Sequence, residues 1–298
     1  MKKQSLIRGY YHAGMATLAG SLVYLFSKAA LQEVSLAQFG IWWFFFGIIW
    51  NLLYSLTPHE IPSYKRIDKK SIRILVFIGF IEIIATTSFY MSINVANNPA
   101  LPSFVRNMEY VFIAIIGLML LKEKFNKLEA VGVMLTFAGV FVIGYNQSFS
   151  FSSLLQGATG LMLLSASFYA IRTTTAKRIV KSLSPTILAL NRASFLMMFA
   201  LIMLIVRNES IIVSEQAFLI ILAGSFLGPF LTSISQYSAL VYLEASFTSI
   251  LQSTTGLFVL LGAWVYFGSL PLWYQVIGGI ITIAGVVILT QGKKKAME

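Results

Sequence analysis

"LEAVGVMLTFAGVFVI" (residues 128–143) and "YQVIGGIITIAGVVIL" (residues 274–289) are two versions of one apolar segment, 146 positions apart. Five identities recur in register, at Gly132/Gly278, Thr136/Thr282, Ala138/Ala284, Gly139/Gly285 and Val140/Val286. Small residues at this spacing favour close packing of membrane helices. The repetition divides the chain into two related halves, predicted at residues 1–147 and 148–298.

The composition places both halves in a membrane. Hydrophobic residues make up 57% of the 298 residues, charged residues only 11%, and the mean hydropathy is +0.80. A soluble domain carries about 25% charged residues, and a helix crosses a bilayer with about 20 apolar residues. Ten such spans are predicted, near residues 9–30, 36–56, 72–94, 102–121, 128–145, 154–174, 186–206, 214–240, 245–266 and 272–290.

Five spans in each half fix the relation between the halves. Because five is odd, the second half must enter the membrane upside down relative to the first. Inverted repeats around a site at the bilayer midplane are a transporter architecture. The predicted fold is an all-α integral membrane protein with ten transmembrane helices in two inverted five-helix repeats.

The basic residues predict the orientation. In the ten-span count, 18 of the 22 Lys and Arg residues fall on one side, including Arg172 at the end of span six. Positive loops mark the cytoplasmic side, so both termini are expected in the cytoplasm and the chain in the cell (inner) membrane. This topology explains the net charge of +11 and basic runs such as "YKRIDKKSIR" (64–73). We therefore expect the lipid bilayer as a partner and no nucleic acid.

Glu82 lies near the middle of span three, where a charge costs about 2.5–3.5 kcal/mol on insertion scales. Thr86, Tyr90 and Asn94 follow it at steps of four, which places them on one helix face. A matching stripe in span eight consists of Ser225, Thr232 and Gln236. Two polar faces favour a central cavity. Glu82 is predicted to bind a substrate amine or a proton, with a purely structural hydrogen bond as the alternative.

"SFVRNMEYVF" (103–112) carries a second pair of charges, Arg106 and Glu109, in span four. At i,i+3 the two side chains can pair on one helix face. A structural salt bridge is one interpretation. In the other, the planar guanidinium of Arg106 receives a substrate carboxylate or phosphate, while Glu109 orients it or carries a coupled proton. In the second repeat, Gln252 is expected at the place of Glu109, at an offset of 143.

The sequence also supports expectations for four further polar residues in or near the spans. Tyr24 and Tyr169 fit the repeat at an offset of 145 and are predicted to line the cavity. Arg192, one or two turns from the cytoplasmic end of span seven, is expected to reach the interface by snorkelling, with a role at the repeat interface or a gate as the alternative. His12 is expected in an interfacial aromatic belt.

Enzyme chemistry finds no support in the sequence. Two histidines and no cysteine leave no His/Cys metal cluster. Patterns of the HExxH, GxSxG and P-loop types do not occur. We therefore expect no catalytic residue, no metal and no cofactor.

Two stretches carry a family resemblance, "IGLMLLKEKFNKLEAVGVMLTFAGVFVI" and its echo "LLGAWVYFGSLPLWYQVIGGIITIAGVVIL". The chain resembles the drug/metabolite transporter superfamily, in its EamA-type ten-helix branch. The resemblance implies a glutamate at the end of span four, here Glu123, which "FGSLP" lacks in the second copy. It also implies an arginine in the second helix of each repeat, present as Arg192, whereas span two has Trp42 and Trp43.

The resulting prediction is a secondary transporter for a small polar organic metabolite, by alternating access. The resemblance implies a cavity lined by spans one, three, four, six, eight and nine, and favours export. A pocket with both charge signs suits an amino acid or a related zwitterion, with protons and a homodimer partner as further hypotheses. The predicted site residues are Glu82, Arg106, Glu109, Tyr90, Asn94, Tyr169, Gln236, Gln252 and Tyr24, with Glu82 and Glu109 as proton-coupling candidates. The alternatives are an uncoupled channel or facilitator, a membrane-embedded enzyme, and a scaffold or sensor.

Overall fold

Ten helices account for the fold, in a computed structural model that describes residues 3–56, 68–121, 126–143, 155–180, 183–243 and 245–297. Within those residues two helices are broken, and no strand occurs. The first five helices are α1 (Lys3–Leu31), α2 (Leu36–Ser55), α3 (Lys69–Val95), α4 (Ala100–Val105 and Met108–Leu121) and α5 (Lys127–Ile143). The second five are α6 (Gly157–Ile179), α7 (Pro185–Val206), α8 (Glu215–Tyr242, with a π-helical segment Phe226–Thr232), α9 (Ala245–Ser253 and Thr255–Phe267) and α10 (Trp273–Met297).

Seven of these helices are long and apolar enough to cross a membrane: α1, α2, α3, α7, α8, α9 and α10. The other three depart from that pattern for local reasons. Helix α4 is broken, α5 has 17 residues, and α6 carries Arg172, Lys177 and Arg178 within its length. The all-α, ten-helix, two-repeat prediction is confirmed. Glu123, singled out by the resemblance, lies outside the described residues.

Serine caps set several helix starts. The hydroxyl of Ser35 accepts from Gln38 N at the start of α2, and the Gln38 side chain accepts from Ser35 N in return. Ser184 and Ser214 accept from the third backbone N–H of α7 and α8. These bonds satisfy amide groups that no helical carbonyl can reach.

The packing follows a two-fold pattern between the repeats. Helix α1 packs on α8 as α6 packs on α3, and α4 contacts α6 as α9 contacts α1. The self-related pairs are α2 with α7 and α5 with α10. Exchanging the repeats maps each of these contacts onto another of them or onto itself, as inverted repeats require.

Glycines bring α5 and α10 into backbone contact. A methyl group added at Gly139 would lie 2.6 Å from Gly278 O, and one added at Gly285 would lie 2.8 Å from Gly132 O. Any larger residue would push the helices apart. The prediction that these glycines serve close packing is confirmed.

The breaks in α4 and α9 differ from the continuous spans expected from sequence. At the first break, Glu109 N bonds to Arg106 O at 2.8 Å, an i→i+3 bond. At the second, Thr254 N bonds to Leu251 O at 3.1 Å in the same way. The breaks also meet, since Asn107 Nδ2 donates to Ser253 O at 3.4 Å. These tightened turns place Arg106 at the centre of the bundle.

Pro229 lies within the π-helical segment of α8. Proline has no N–H to donate and forces the preceding turn open. Asn51 of α2 donates to Pro229 O at 3.0 Å, which occupies a carbonyl near the wide turn.

Candidate functional site

Glu82 is fully buried in α3, and four groups meet its carboxylate. Arg192 Nε lies 3.1 Å from Oε2, and Arg172 Nε lies 3.6 Å from Oε1. The Thr86 hydroxyl donates to Oε2 at 2.8 Å, and the Tyr237 hydroxyl donates to Oε1 at 3.3 Å. Since three of these partners come from the second repeat, Glu82 joins the repeats.

Arg192 uses all three of its guanidinium nitrogens. Besides the contact of Nε with Glu82, Nη1 donates to Ser233 Oγ at 2.7 Å. Nη2 donates to Thr86 Oγ1 and to Tyr169 OH, both at 3.3 Å. A buried arginine with every nitrogen engaged has little capacity left for a ligand.

Glu109 forms a second centre of charge, one end of which faces Arg106. Arg106 Nε lies 3.4 Å from Oε2, while Arg172 Nη2 lies 3.8 Å from Oε1. Thr173 donates its hydroxyl to Oε1 at 3.0 Å. The carboxylate is 4% exposed and therefore depends on these partners.

The two centres form one chain of alternating charges, because Arg172 contacts both carboxylates. Its order is Arg106, Glu109, Arg172, Glu82 and Arg192. Three arginines face two glutamates, so these five residues carry a formal excess of one positive charge. An uncompensated charge is costly in a membrane interior, which makes the arginine most accessible to a ligand the point of interest.

Arg106 is that arginine. Within the described residues its Nε donates to Glu109, whereas Nη1 and Nη2 make no hydrogen bond. Its side chain is 19% exposed, against 10% for Arg192 and 4% for Arg172. Two terminal nitrogens in one plane match the two oxygens of a carboxylate or phosphate.

Aromatic rings surround Arg106. The guanidinium carbon lies 4.8 Å from the ring centre of Tyr169 and 5.2 Å from that of Phe89, both within cation–π range. The buried Tyr24 hydroxyl lies beside Arg106. These rings hold the guanidinium in position while leaving its terminal nitrogens free.

Two adjoining cavities open onto Arg106, with about 350 and 330 Å³ of space between atoms. Both are lined by Gly20, Arg106 and Gln236. The first adds an aromatic and apolar wall that includes Tyr90 and Gly228. The Arg106 guanidinium therefore lies between the two spaces.

A third cavity of about 300 Å³ lies beside Glu109 and Arg172. It shares Tyr110, Gln236 and Gln252 with the second cavity. Tyr110 OH donates to Gln252 Oε1 at 3.5 Å, at the long end of hydrogen bonding. Gln236 thus lines all three cavities. The three are lined by helices α1, α3, α4, α6, α7, α8 and α9.

Residues 7–145 and residues 157–291 each match the EamA-like transporter family. This chain belongs to that family. It is accordingly a multi-pass membrane protein and a transporter of the drug/metabolite transporter superfamily, and the resemblance read from the sequence is confirmed. Among curated proteins no sequence matches the chain. A solved structure described only as "Crystal structure of protein" shares the fold, with a TM-score of 0.65, 13% identity and full coverage of both chains.

Most residues singled out from the sequence meet in this EamA transporter. Those at the ion chain or the cavities are Glu82, Arg106, Glu109, Tyr24, Tyr90, Tyr169, Gln236 and Gln252. Asn94 does not join them. Its side chain is exposed at the end of α3, and only its backbone oxygen is engaged, by Lys28 Nζ at 2.8 Å. The prediction that Asn94 lines the cavity is wrong, because α3 has left the cavity wall by that turn.

The expectation that the Arg192 side chain snorkels to the membrane interface is wrong. Its side chain points inward to Glu82 and is 10% exposed. The polar stripe that begins at Glu82 could have indicated this ion pair, because a buried acid requires a cation from a neighbouring helix.

Arg172 was missed, having been counted among the cytoplasmic charges. Helix α6 continues to Ile179, five residues beyond the predicted end of span six. Arg172 therefore lies about 10 Å inside the helix end, at 1.5 Å per residue. The sequence could have indicated this position, because Arg172 follows Tyr169 by three residues and therefore lies on the same helix face.

Gln252 has a different counterpart in the first repeat at each of two offsets. At 146, the offset that relates the glycines of α5 and α10, Gln252 corresponds to Arg106. At 143, the offset of a two-residue match, it corresponds to Glu109, and that correspondence stays a prediction. The two helix breaks contact each other through Asn107 and Ser253.

No metal site is apparent: within the described residues no three His, Cys, Asp or Glu side chains are grouped closely enough to hold an ion. His12 lies apart from the ion chain, stacked on Tyr242 with ring centres 6.0 Å apart.

Proposed function

We propose that this transporter moves a small polar organic metabolite bearing a carboxylate, an amino acid or a related compound, by alternating access. One observation carries the proposal. Arg106 has two unbonded terminal nitrogens among the described residues, next to two cavities, in a charge chain with one excess positive charge. A bound carboxylate would form a bidentate contact and neutralise that excess.

Charge also argues for the manner of transport. The first repeat supplies Glu82, Arg106 and Glu109, and the second supplies Arg172 and Arg192. If the repeats move against each other, their mutual ion pairs must separate or rearrange. A ligand carboxylate at Arg106 would compete with Glu109 for the same cation, and so couple binding to that rearrangement.

Glu109 is the better candidate for a coupled proton. It lines the third cavity and pairs with Arg106 at 3.4 Å, whereas Glu82 lines none of the three and has four partners. A proton on Glu109 would release Arg106 to the substrate. We propose cytoplasmic termini on the distribution of Lys and Arg, and export because the resemblance to the family favours it.

Ligand-induced stabilisation of detergent-purified protein tests the proposal. The panel contains zwitterionic amino acids, carboxylates lacking an amine, amines lacking a carboxylate, and sugar phosphates. A ligand that binds only the folded state raises the melting temperature by mass action. We expect stabilisation by ligands with a carboxylate and none by plain amines.

Arg106→Ala is the decisive variant. Since Glu109 keeps Arg172 and Thr173, we expect a loss of stability of only about 1 kcal/mol, the worth of one hydrogen bond, with the ligand response abolished. Arg207→Ala is the matched control, because Arg207 is 56% exposed and pairs with Glu209 away from the cavities. A carboxylate response that survives Arg106→Ala would overturn the proposal.

Flux in proteoliposomes separates a carrier from a channel. Alternating access predicts that unlabelled substrate on one side accelerates the exchange of labelled substrate from the other. Glu109→Gln should remove any dependence on a proton gradient while exchange persists. Flux that never saturates and shows no exchange would favour the channel.

A further inference from the structure

Gln236 stands at the junction of the three cavities with a side-chain amide that no described residue bonds. Its neighbours on α8, from Ser233 to Tyr237 and on to Leu240, are buried, while Gln236 itself is partly exposed. Because it lines internal cavities, that exposed surface faces the interior of the bundle. An amide placed there has two donors and one acceptor oxygen to offer a ligand.

We propose that Gln236 selects the group that the substrate carries next to its carboxylate, so that 2-amino and 2-hydroxy acids are accepted and acids with a plain methylene are disfavoured. The inference rests on the proposed function, in which Arg106 holds the carboxylate. Arg106 and Gln236 line two of the cavities together. A single small ligand can therefore meet both.

The two glutamates are poorly placed for this selection. Glu82 lines none of the three cavities and already has four partners. Glu109 is engaged by Arg106, Arg172 and Thr173. A substrate ammonium in the space shared with Arg106 thus meets a neutral amide oxygen rather than a free carboxylate.

The neutral amide explains why two chemistries should be accepted. Its oxygen accepts from an ammonium or a hydroxyl, and its N–H groups donate to a hydroxyl oxygen. A methylene offers neither, so the amide would lose water without gaining a partner. Sites built to hydrogen-bond a substrate group reject analogues lacking it far more strongly than they reject small changes in size.

Two sets of three acids isolate the effect. The larger set is leucine, 2-hydroxy-4-methylpentanoate and 4-methylpentanoate, and the smaller is alanine, lactate and propionate. Within each set only the group beside the carboxylate changes. In the wild type, by calorimetry in detergent, we expect the amino and hydroxy acids of at least one set to bind within about threefold of each other, and the plain acid about tenfold more weakly.

Two variants at one position carry the test. In Gln236→Leu we expect the three affinities of a set to converge, because no polar group remains to select. In Gln236→Glu we expect the amino acid to gain at least about tenfold over both other acids, since a carboxylate attracts the ammonium and repels the monoanions. Gln291→Leu, the same change at an exposed glutamine of α10, should behave as the wild type.

The outcomes distinguish the two proposals. If the wild type binds a set but Gln236→Leu keeps its preference against the plain acid, or Gln236→Glu leaves the order unchanged, the role of Gln236 is refuted while that of Arg106 stands. If the wild type binds none of the six acids, the carboxylate site fails, and the role of Gln236 fails with it. Correct folding of each variant is checked by its melting temperature and its elution as a single species.

Discussion

The two repeats agree in packing and disagree in charge. Exchanging them maps the helix contacts onto one another. In the ion chain, however, the first repeat supplies both acids and Arg106, a formal charge of −1, and the second supplies Arg172 and Arg192, a charge of +2. The backbone symmetry thus supports an interface in which the charges of the second repeat complement the acids of the first.

The same contrast appears at one pair of related positions. At the repeat offset of 146, Glu82 on α3 corresponds to Gly228 on α8. Glu82 meets Arg192 of α7, whereas Gly228 meets Trp43 of α2, whose ring carbon Cζ2 lies 2.8 Å from the position of an added methyl group. An ion pair in one half is therefore replaced by a large ring against a glycine in the other. Trp43 fills this space.

Removing the charge of Glu82 should have the largest effect on stability. Glu82→Gln leaves Arg192 and Arg172 buried without their shared counter-ion, and breaking a buried pair costs about 3–5 kcal/mol. The melting temperature in detergent measures it. Glu215→Gln, at an exposed glutamate of α8, is the control. Equal stability of the two variants would show that the ion chain contributes little to holding the repeats together.

A pair of lysines tests how far the symmetry extends. Lys28 Nζ donates to Asn94 O and Ala96 O at the end of α3, both at 2.8 Å, and Lys177 Nζ donates to Leu240 O and Leu243 O at the end of α8. Each lysine thus anchors the C-terminal end of the third helix of its own repeat.

Lys28→Met and Lys177→Met should therefore destabilise the protein to a similar extent. The expected loss is about 1.5–3 kcal/mol, the range for hydrogen bonds to charged groups, read from melting temperatures. A large effect of one substitution with none from the other would show that the anchors are not equivalent.

Gly228→Ala should have a smaller effect, of about 1–3 kcal/mol, typical of overpacking. Trp43→Phe in the same chain should restore part of the loss, because the smaller ring vacates the space that the methyl group needs. Gly14→Ala is the control, since no atom lies within 4 Å of its added methyl group. Without recovery in the double variant, the cost would have to come from the π-helical backbone rather than from Trp43.

The sequence by itself determined the membrane class, the ten helices, the two repeats and the use of glycines for close helix packing. These follow from composition, from span length and from glycines in register, all of which are local properties on which the bilayer imposes strict limits. Family membership follows from the same features.

Tertiary structure alone decided which charges meet. Arg172 was counted with the cytoplasmic charges at the end of span six because the apolar stretch ends before its helix does. Arg192 was assigned to the interface because its partner lies 110 positions away, at Glu82. The breaks that place Arg106 and Gln252 arise where two helices from different repeats contact each other. The free energy of a charge inside a membrane depends on the groups around it. Those groups come from distant parts of the chain, so no local pattern could specify them.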